Sequence, residues 1–341
     1  MIKNQHKWPL EHWHIELCSK CSLYCPRCSR QEVPEGLHNG ELDLEWFEKN
    51  FSFELLQNVK KITLCGDDGD PIYAKDMIPI VSYIKKSNPK IQFVIVTNGS
   101  YKTGKWWHSL FECLNKNDHI HFSIDGWDNQ SNNLYRVNSY WESIMTAVDI
   151  AGSYDVYKTW ATIAFKFNEN KIDDMKEIAR GKKFDAFQLT LSSKFGCNYK
   201  TYPENDPLQP SSKFVSVGRF TRETDLLTNR VWHDSVSSIH QQRYNKMKSI
   251  TNKVQPLCFV GNKGLYINAK GRFYPCCWTG LRYQHNKGLF DNIDYSRTLI
   301  DVLNDSEWTN LFDSFNEETC PLECKEKCSA KKFTLEHATN W

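Results

Sequence analysis

Three cysteines within eight residues, Cys21, Cys25 and Cys28, constrain this chain more than any other feature. Their C-x3-C-x2-C spacing sets three thiols on one short loop, with Cys18 just upstream. The 341 residues contain 13 cysteines, and nine are clustered: these four, the adjacent Cys276 and Cys277, and Cys320, Cys324 and Cys328 near the end. Secreted disulfide scaffolds are usually short, and residues 1–8 contain no apolar signal core. The thiols therefore read as metal ligands in a reducing compartment, and the expected location is cytoplasmic. No apolar run approaches the roughly 20 residues that span a bilayer. Lys and Arg number 43 against 41 Asp and Glu, a net charge of +2 that gives no electrostatic case for nucleic acid or an anionic membrane.

Six strand-like runs, at 13–17, 61–65, 91–96, 119–124, 159–167 and 186–191, alternate with helical patterns. Met77, Ile80, Val81 and Ile84 recur at i, i+3, i+4 and i+7. Trp107, Leu110, Phe111 and Leu114 repeat the spacing, as do Trp141, Ile144, Met145 and Val148; Ile172, Met175 and Ile178 form a shorter stripe. Residues 42–56 read as one helix with a broad apolar face. Alternating strands and helices imply a parallel sheet, and six units suit an open, partial (β/α)6 TIM-like barrel. Polar or glycine-rich segments follow the runs: the cysteine loop, 66–71, Thr97-Asn98-Gly99, Asp125-Gly126, Asn168-Glu169 and Ser192-Ser193. In such barrels these strand ends converge on one face; singly, each segment also reads as an ordinary turn. The division expected is a barrel at 1–196, a polar linker or insert at 197–255 with a possible helix at 235–247, and a small cysteine-rich domain at 256–341.

A 4Fe–4S cubane normally takes four thiolates, one per iron. Three thiolates from one loop leave an iron open to the amino and carboxylate groups of a methionine moiety. The loop resembles the signature of the radical S-adenosylmethionine (SAM) superfamily, and later motifs resemble that family's in order. Gly69-Asp70-Pro71 is similar to the segment whose backbone receives the SAM amino group. Asn98 lies in the third-strand motif on the ribose side, Ser123 and Asp125 in the fourth-strand Ser-x-Asp-Gly, and Arg136 matches an arginine that holds the SAM carboxylate with the serine. The resemblance implies that Cys21, Cys25 and Cys28 ligate a cluster that reductively cleaves SAM, giving a 5′-deoxyadenosyl radical that abstracts hydrogen from a substrate. Arg27 departs from the pattern, standing where an aromatic residue commonly precedes the third cysteine, and Asp70 replaces a glutamate. A zinc site at Cys18, Cys21, Cys25 and Cys28 is the competing reading, although zinc knots usually separate their pairs by longer stretches. Cys18 otherwise reads as a buried thiol ending the first strand.

Cys258, Gly271 and Cys276 give C-x12-G-x4-C, which resembles the opening of a SPASM or twitch domain, with a hairpin at 265–274 turning at Lys270-Gly271. A helix is expected near 296–312. The resemblance implies one auxiliary 4Fe–4S cluster, twitch-like, held by four of Cys258, Cys276, Cys320, Cys324 and Cys328; the spacing leaves open which of the last three bind. A zinc-stapled domain is the alternative. Cys65 and Cys197, at strand ends, read as inert buried thiols or as hydrogen-atom donors, and His12 and His14 as surface or satisfied core histidines. The substrate implied is a peptide to be modified, or a sugar-like small molecule to be oxidised or epimerised. The implied protein partner is a reductant such as flavodoxin or ferredoxin. A non-catalytic cysteine-rich binding module is the reading from another class.

Overall fold

The structure, a computed structural model, describes residues 11–32, 34–191, 206–211, 216–221, 230–231, 265–275, 277–280, 290, 293–306 and 308. Their strands are β1 (His12–Ile15), β2 (Lys61–Leu64), β3 (Gln92–Thr97), β4 (His119–Ser123), β5 (Tyr157–Ala164), β6 (Ala186–Leu191), β7 (Ser216–Thr221), β8 (Arg230–Val231), β9 (Leu265–Ile267) and β10 (Phe273–Tyr274). Each of the six runs expected from the sequence contains or overlaps one of β1–β6. Two compact units emerge, one from residues 1–20, 33–93 and 249–341, the other from 21–32 and 94–248.

In the first unit β1 pairs in parallel with β2, His12 opposite Lys61, and also with β9, Trp13 opposite Leu265. β9 and β10 form the expected hairpin, antiparallel with Phe273 opposite Ile267. Gly271 turns it at φ +74°, a left-handed conformation that favours glycine. The hairpin thus extends the sheet that β1 and β2 begin. Helices α1 (Ser29–Glu32), α2 (Leu44–Asn50), α3 (Phe53–Leu56) and α4 (Met77–Ser87) follow in chain order, α1 belonging to the second unit. The single helix expected at 42–56 is two. Ser52 adopts an extended backbone and its hydroxyl accepts the Leu55 N–H at 3.3 Å, so a new N-cap interrupts the run. In α4, Met77, Ile80, Val81 and Ile84 are all fully buried, each contributing about 1.5–3 kcal/mol. The helix stops before Asn88-Pro89, because the residue preceding a proline disfavours helical backbone.

In the second unit β3, β4, β5 and β6 pair in parallel, Val94 opposite His119, His119 opposite Tyr157 and Thr159 opposite Ala186. Between them run α5 (Gly104–Phe111), α6 (Asn129–Asn133), α7 (Trp141–Ala151) and α8 (Ile172–Gly181). Thr103 caps α5 by accepting the Trp106 N–H, and Trp107, Leu110 and Phe111 bury its inner stripe. The segment read as a polar linker contributes two strands: β7 pairs antiparallel with β6, and β8 antiparallel with β7. The possible helix at 235–247 lies outside the described residues. Of the helix expected near 296–312, residues 296–306 and 308 are described, and Leu299–Leu303 is an α-helix. Among the described residues no helix is long and apolar enough to cross a membrane.

Candidate active site

The loop after β1 is fixed by backbone bonds before any thiol is considered. Tyr24 donates its N–H to the Val137 carbonyl at 3.0 Å, and Asn138 Nδ2 donates to the Ser22 carbonyl at 2.8 Å. Asn138 sits at φ +69°, a left-handed conformation that asparagine tolerates better than most residues. Tyr101, itself at φ +65°, donates its hydroxyl to the Asn138 carbonyl at 2.9 Å. Held this way, Cys21, Cys25 and Cys28 enter one packed group with Leu23, Tyr135, Ile163, Phe165, Phe167 and Leu208. None of the three cysteines is in a disulfide.

Polar groups reach two of these sulfurs. Asn98 Nδ2 is 3.6 Å from Cys21 Sγ and the Leu23 N–H is 3.5 Å from it; Asn98 Oδ1 accepts the Ser100 N–H. Arg136 hydrogen-bonds to Cys25, and its Nε donates to Asp125 Oδ2 at 2.5 Å. Asp125, with no side-chain exposure, also accepts the Ile163 N–H at 2.7 Å and the Thr162 hydroxyl at 3.2 Å. Burial opposes the Arg136 charge, but Asp125, then Cys25 and Tyr135, more than offset it and hold the proton tightly. Burial pushes the Cys25 thiol up to about 11, with Arg136 pulling the other way. Ser123 ends β4 opposite Ala161. Arg27 is paired with buried Asp206, Nη2 to Oδ2 at 2.6 Å.

Among the described residues no three His, Cys, Asp or Glu side chains converge as they would around a single ion. A cubane asks for something else, since each thiolate binds its own iron. Three thiols outside any disulfide, in an apolar group with amide donors on one sulfur and a guanidinium beside another, suit a cluster that carries negative charge.

The loop after β2 is held by acids. Glu16, 2% exposed, accepts the Asp67 N–H on Oε1 at 2.7 Å and the Asp68 N–H on Oε2 at 2.8 Å. Asp68 Oδ2 bonds to His38 Nδ1 at 3.0 Å. A Cβ on Gly69 would stand 2.2 Å from the Cys18 carbonyl oxygen, so only glycine fits this approach. Asp70 donates its N–H to the Lys20 carbonyl, and its side chain caps the turn by accepting the Ile72 N–H. Its carbonyl receives the Cys18 thiol at 3.4 Å. Cys18 is buried, its thiol raised to about 11 by burial.

Several sequence readings resolve here. Burial, then the charges of Glu16, Asp70 and Asp67, push the Cys65 thiol up to about 12. His14 donates Nε2–H to the Cys65 carbonyl at 3.0 Å, a satisfied core histidine. Asn168 is wholly committed to backbone: Nδ2 donates to the Asp125 and Ile163 carbonyls and Oδ1 accepts the Phe165 N–H. Cys197, Cys258, Cys276, Cys320, Cys324 and Cys328 lie outside the described residues. Sequence reasoning missed Glu16, Asn138 and Asp206. An acid inside the first strand was the only signal for Glu16; the others form contacts across more than 100 residues, which spacing does not reveal.

Residues 15–180 match the radical SAM superfamily, and residues 258–329 match SPASM, an iron-sulfur cluster-binding domain. The chain belongs to the radical SAM superfamily. Within it, the C-terminal match makes this a SPASM-type radical SAM enzyme, whose cofactors are SAM, a 4Fe–4S cluster and auxiliary iron–sulfur. Among solved structures, SuiB of Streptococcus suis bound to S-adenosylmethionine is 13% identical, with a TM-score of 0.54 over 95% of this chain and 70% of that one. SuiB bound to precursor peptide SuiA is 14% identical, with a TM-score of 0.55 over 95% and 71%. The structure of anSMEcpe with bound AdoMet and Cp18Cys peptide is 13% identical, with a TM-score of 0.53 over 91% and 83%. These likenesses carry the fold, an α/β partial (β/α)6 barrel followed by a small cysteine-rich segment. Among curated proteins, no sequence matches the chain.

Proposed function

We propose that this chain modifies a peptide by radical chemistry, with Cys21, Cys25 and Cys28 holding the SAM-cleaving cluster. The observation that carries the reading is the group of three cysteines on one pinned loop, none in a disulfide, with the Arg136 guanidinium at Cys25. These cysteines would hold a cluster whose chemistry, when bound, would be one-electron reductive cleavage of SAM to start hydrogen abstraction from the substrate. The protein's residues position and shield. Leu23, Tyr135 and Phe165 keep water from the sulfurs. Asn98 and Arg136 place donors on Cys21 and Cys25. Gly69, Asp70, Asn98, Ser123 and Arg136 are the SAM-binding set. Asp125, its carboxylate taken by Arg136, Ile163 and Thr162, serves this set as a positioning residue.

Four of Cys258, Cys276, Cys320, Cys324 and Cys328 would hold one auxiliary 4Fe–4S cluster, which would bind substrate or carry an electron out. A peptide substrate is favoured because two structural neighbours were solved with peptides bound, SuiB with SuiA and anSMEcpe with the Cp18Cys peptide. A reductant of the flavodoxin or ferredoxin class supplies the electron. The test is anaerobic reconstitution followed by assay of 5′-deoxyadenosine with dithionite. Wild type forms it and Cys21→Ala does not; formation undiminished in Cys21→Ala overturns the cysteine assignment. Wild type that binds iron yet forms none is a binding module instead.

A further inference from the structure

Glu16 belongs to none of the motifs above, yet it is the acid to which the loop after β2 is tied. Its two carboxylate oxygens divide the work: Oε1 takes the Asp67 N–H and Oε2 the Asp68 N–H, at 2.7 and 2.8 Å. Two successive peptides, just ahead of Gly69 and Asp70, are thereby fixed. The carboxylate has a third partner. Tyr266, in β9 and 1% exposed, donates its hydroxyl to Glu16 Oε1 at 2.7 Å from 250 residues away. β9 pairs with β1, placing Tyr266 opposite His14, and the two rings meet edge to face at 5.2 Å. Such a buried carboxylate keeps its place only when its lone pairs are satisfied, and here the C-terminal hairpin supplies one of the three donors.

We infer that Glu16 and Tyr266 are positioning residues for SAM, a latch through which the C-terminal hairpin sets the shape of the 66–70 loop and hence SAM affinity. This rests on the reading that Gly69 and Asp70 contact SAM. The latch forms no bond to the reacting atoms, so its loss weakens binding while leaving turnover at saturation. His38 braces the same loop through Asp68, and the hydrophobic contacts of β9 hold the hairpin in place without the hydroxyl.

The experiment uses the full chain, anaerobically reconstituted. Tyr266→Phe keeps the ring and deletes only the donor; Glu16→Gln keeps the side-chain length and loses one acceptor. Equilibrium dialysis with labelled SAM should show the Kd rising about three- to tenfold in Tyr266→Phe, and more in Glu16→Gln. The rate of 5′-deoxyadenosine formation at saturating SAM should stay within about twofold of wild type, a split that simple destabilisation does not produce. Amide hydrogen exchange at Asp67 and Asp68 should quicken in both variants, which tests the latch without SAM. Unchanged Kd in both variants, with wild type binding SAM normally, overturns the inference alone. Unchanged exchange at both amides overturns the latch itself. Wild type that binds no SAM overturns instead the reading on which the SAM role rests.

Discussion

The loops after β1 and after β2 are both short, and they are held by opposite kinds of group. The cysteine loop is surrounded by donors: the Asn98 amide and the Leu23 N–H at Cys21, and the Arg136 guanidinium at Cys25. The second loop is held by a carboxylate, Glu16, which takes two of its backbone N–H groups, and by Asp68, which takes His38. Thiolates bound to iron need positive neighbours and N–H donors, because a buried anion without them is costly. A loop whose backbone serves a ligand needs its peptides fixed by groups that do not themselves bind. The difference also shows in the cost of error. Around the cysteines a wrong residue strands a charge; around the second loop it loosens a turn.

The largest effect expected follows from that contrast. Arg136→Ala leaves Asp125 buried with its cation gone, and only the Ile163 N–H and Thr162 hydroxyl to compensate. Stability should fall by about 3 kcal/mol, read from the urea midpoint, and the double variant Asp125→Asn/Arg136→Met should recover most of it. A loss below about 1 kcal/mol would mean the cysteine loop does not depend on a buried cation. Next comes Gly69→Ala. The new Cβ would press on the Cys18 carbonyl and on Lys20 backbone atoms, none of which can rotate away. It should cost about 1–3 kcal/mol and weaken SAM binding more than it slows saturated turnover. Asn98→Leu is milder for stability, but it removes a donor from Cys21. N–H donors favour the more negative, reduced state of a cluster, so the midpoint potential in an EPR-monitored titration should move down.

Legibility in the sequence followed the range of the interaction. The strands β1–β6 and helices α4, α5, α7 and α8 were readable because each is set by a local period, and burial of Ile80, Val81 and Ile84 or of Trp107 and Leu110 answers that period directly. Gly271 was readable because a tight hairpin turn demands a left-handed residue. The break at Ser52 was missed because an apolar stripe runs across it while one hydroxyl starts a new helix. β7 and β8 were missed because their polar segment has no clean alternation; pairing with β6 makes them strands. The contrast itself was half visible. The aspartates of 66–70 were evident as turn formers, whereas the acid that fixes two of their peptides lies just after β1, 51 residues earlier.

The smallest effect tests the acidic side of the comparison through pH. Burial, then the charges of Asp68 and Asp67, push the Glu16 carboxyl well above its ordinary value of 4.5. The folded chain therefore holds this proton more tightly than the unfolded one. Its stabilising contribution is complete below about 4.5 and is lost as pH rises through the folded value. His14 works the other way. Burial holds its imidazole down to about 4, so the unfolded chain takes up a proton below 6.5 that the folded chain refuses, and stability from this group falls as pH drops from 6.5 towards 4. Comparing wild type with Glu16→Gln keeps His14 common to both. Asp67, Asp68, Cys65 and Tyr266 also face the carboxyl and stay in place in both proteins. The Tm advantage of wild type over Glu16→Gln should therefore shrink, by about 1–3 °C, as pH is raised from about 5.5 to about 8.5. An advantage that grows over this range would mean that Glu16 is held as a stabilised anion, and that the second loop, like the first, is organised around a compensated charge.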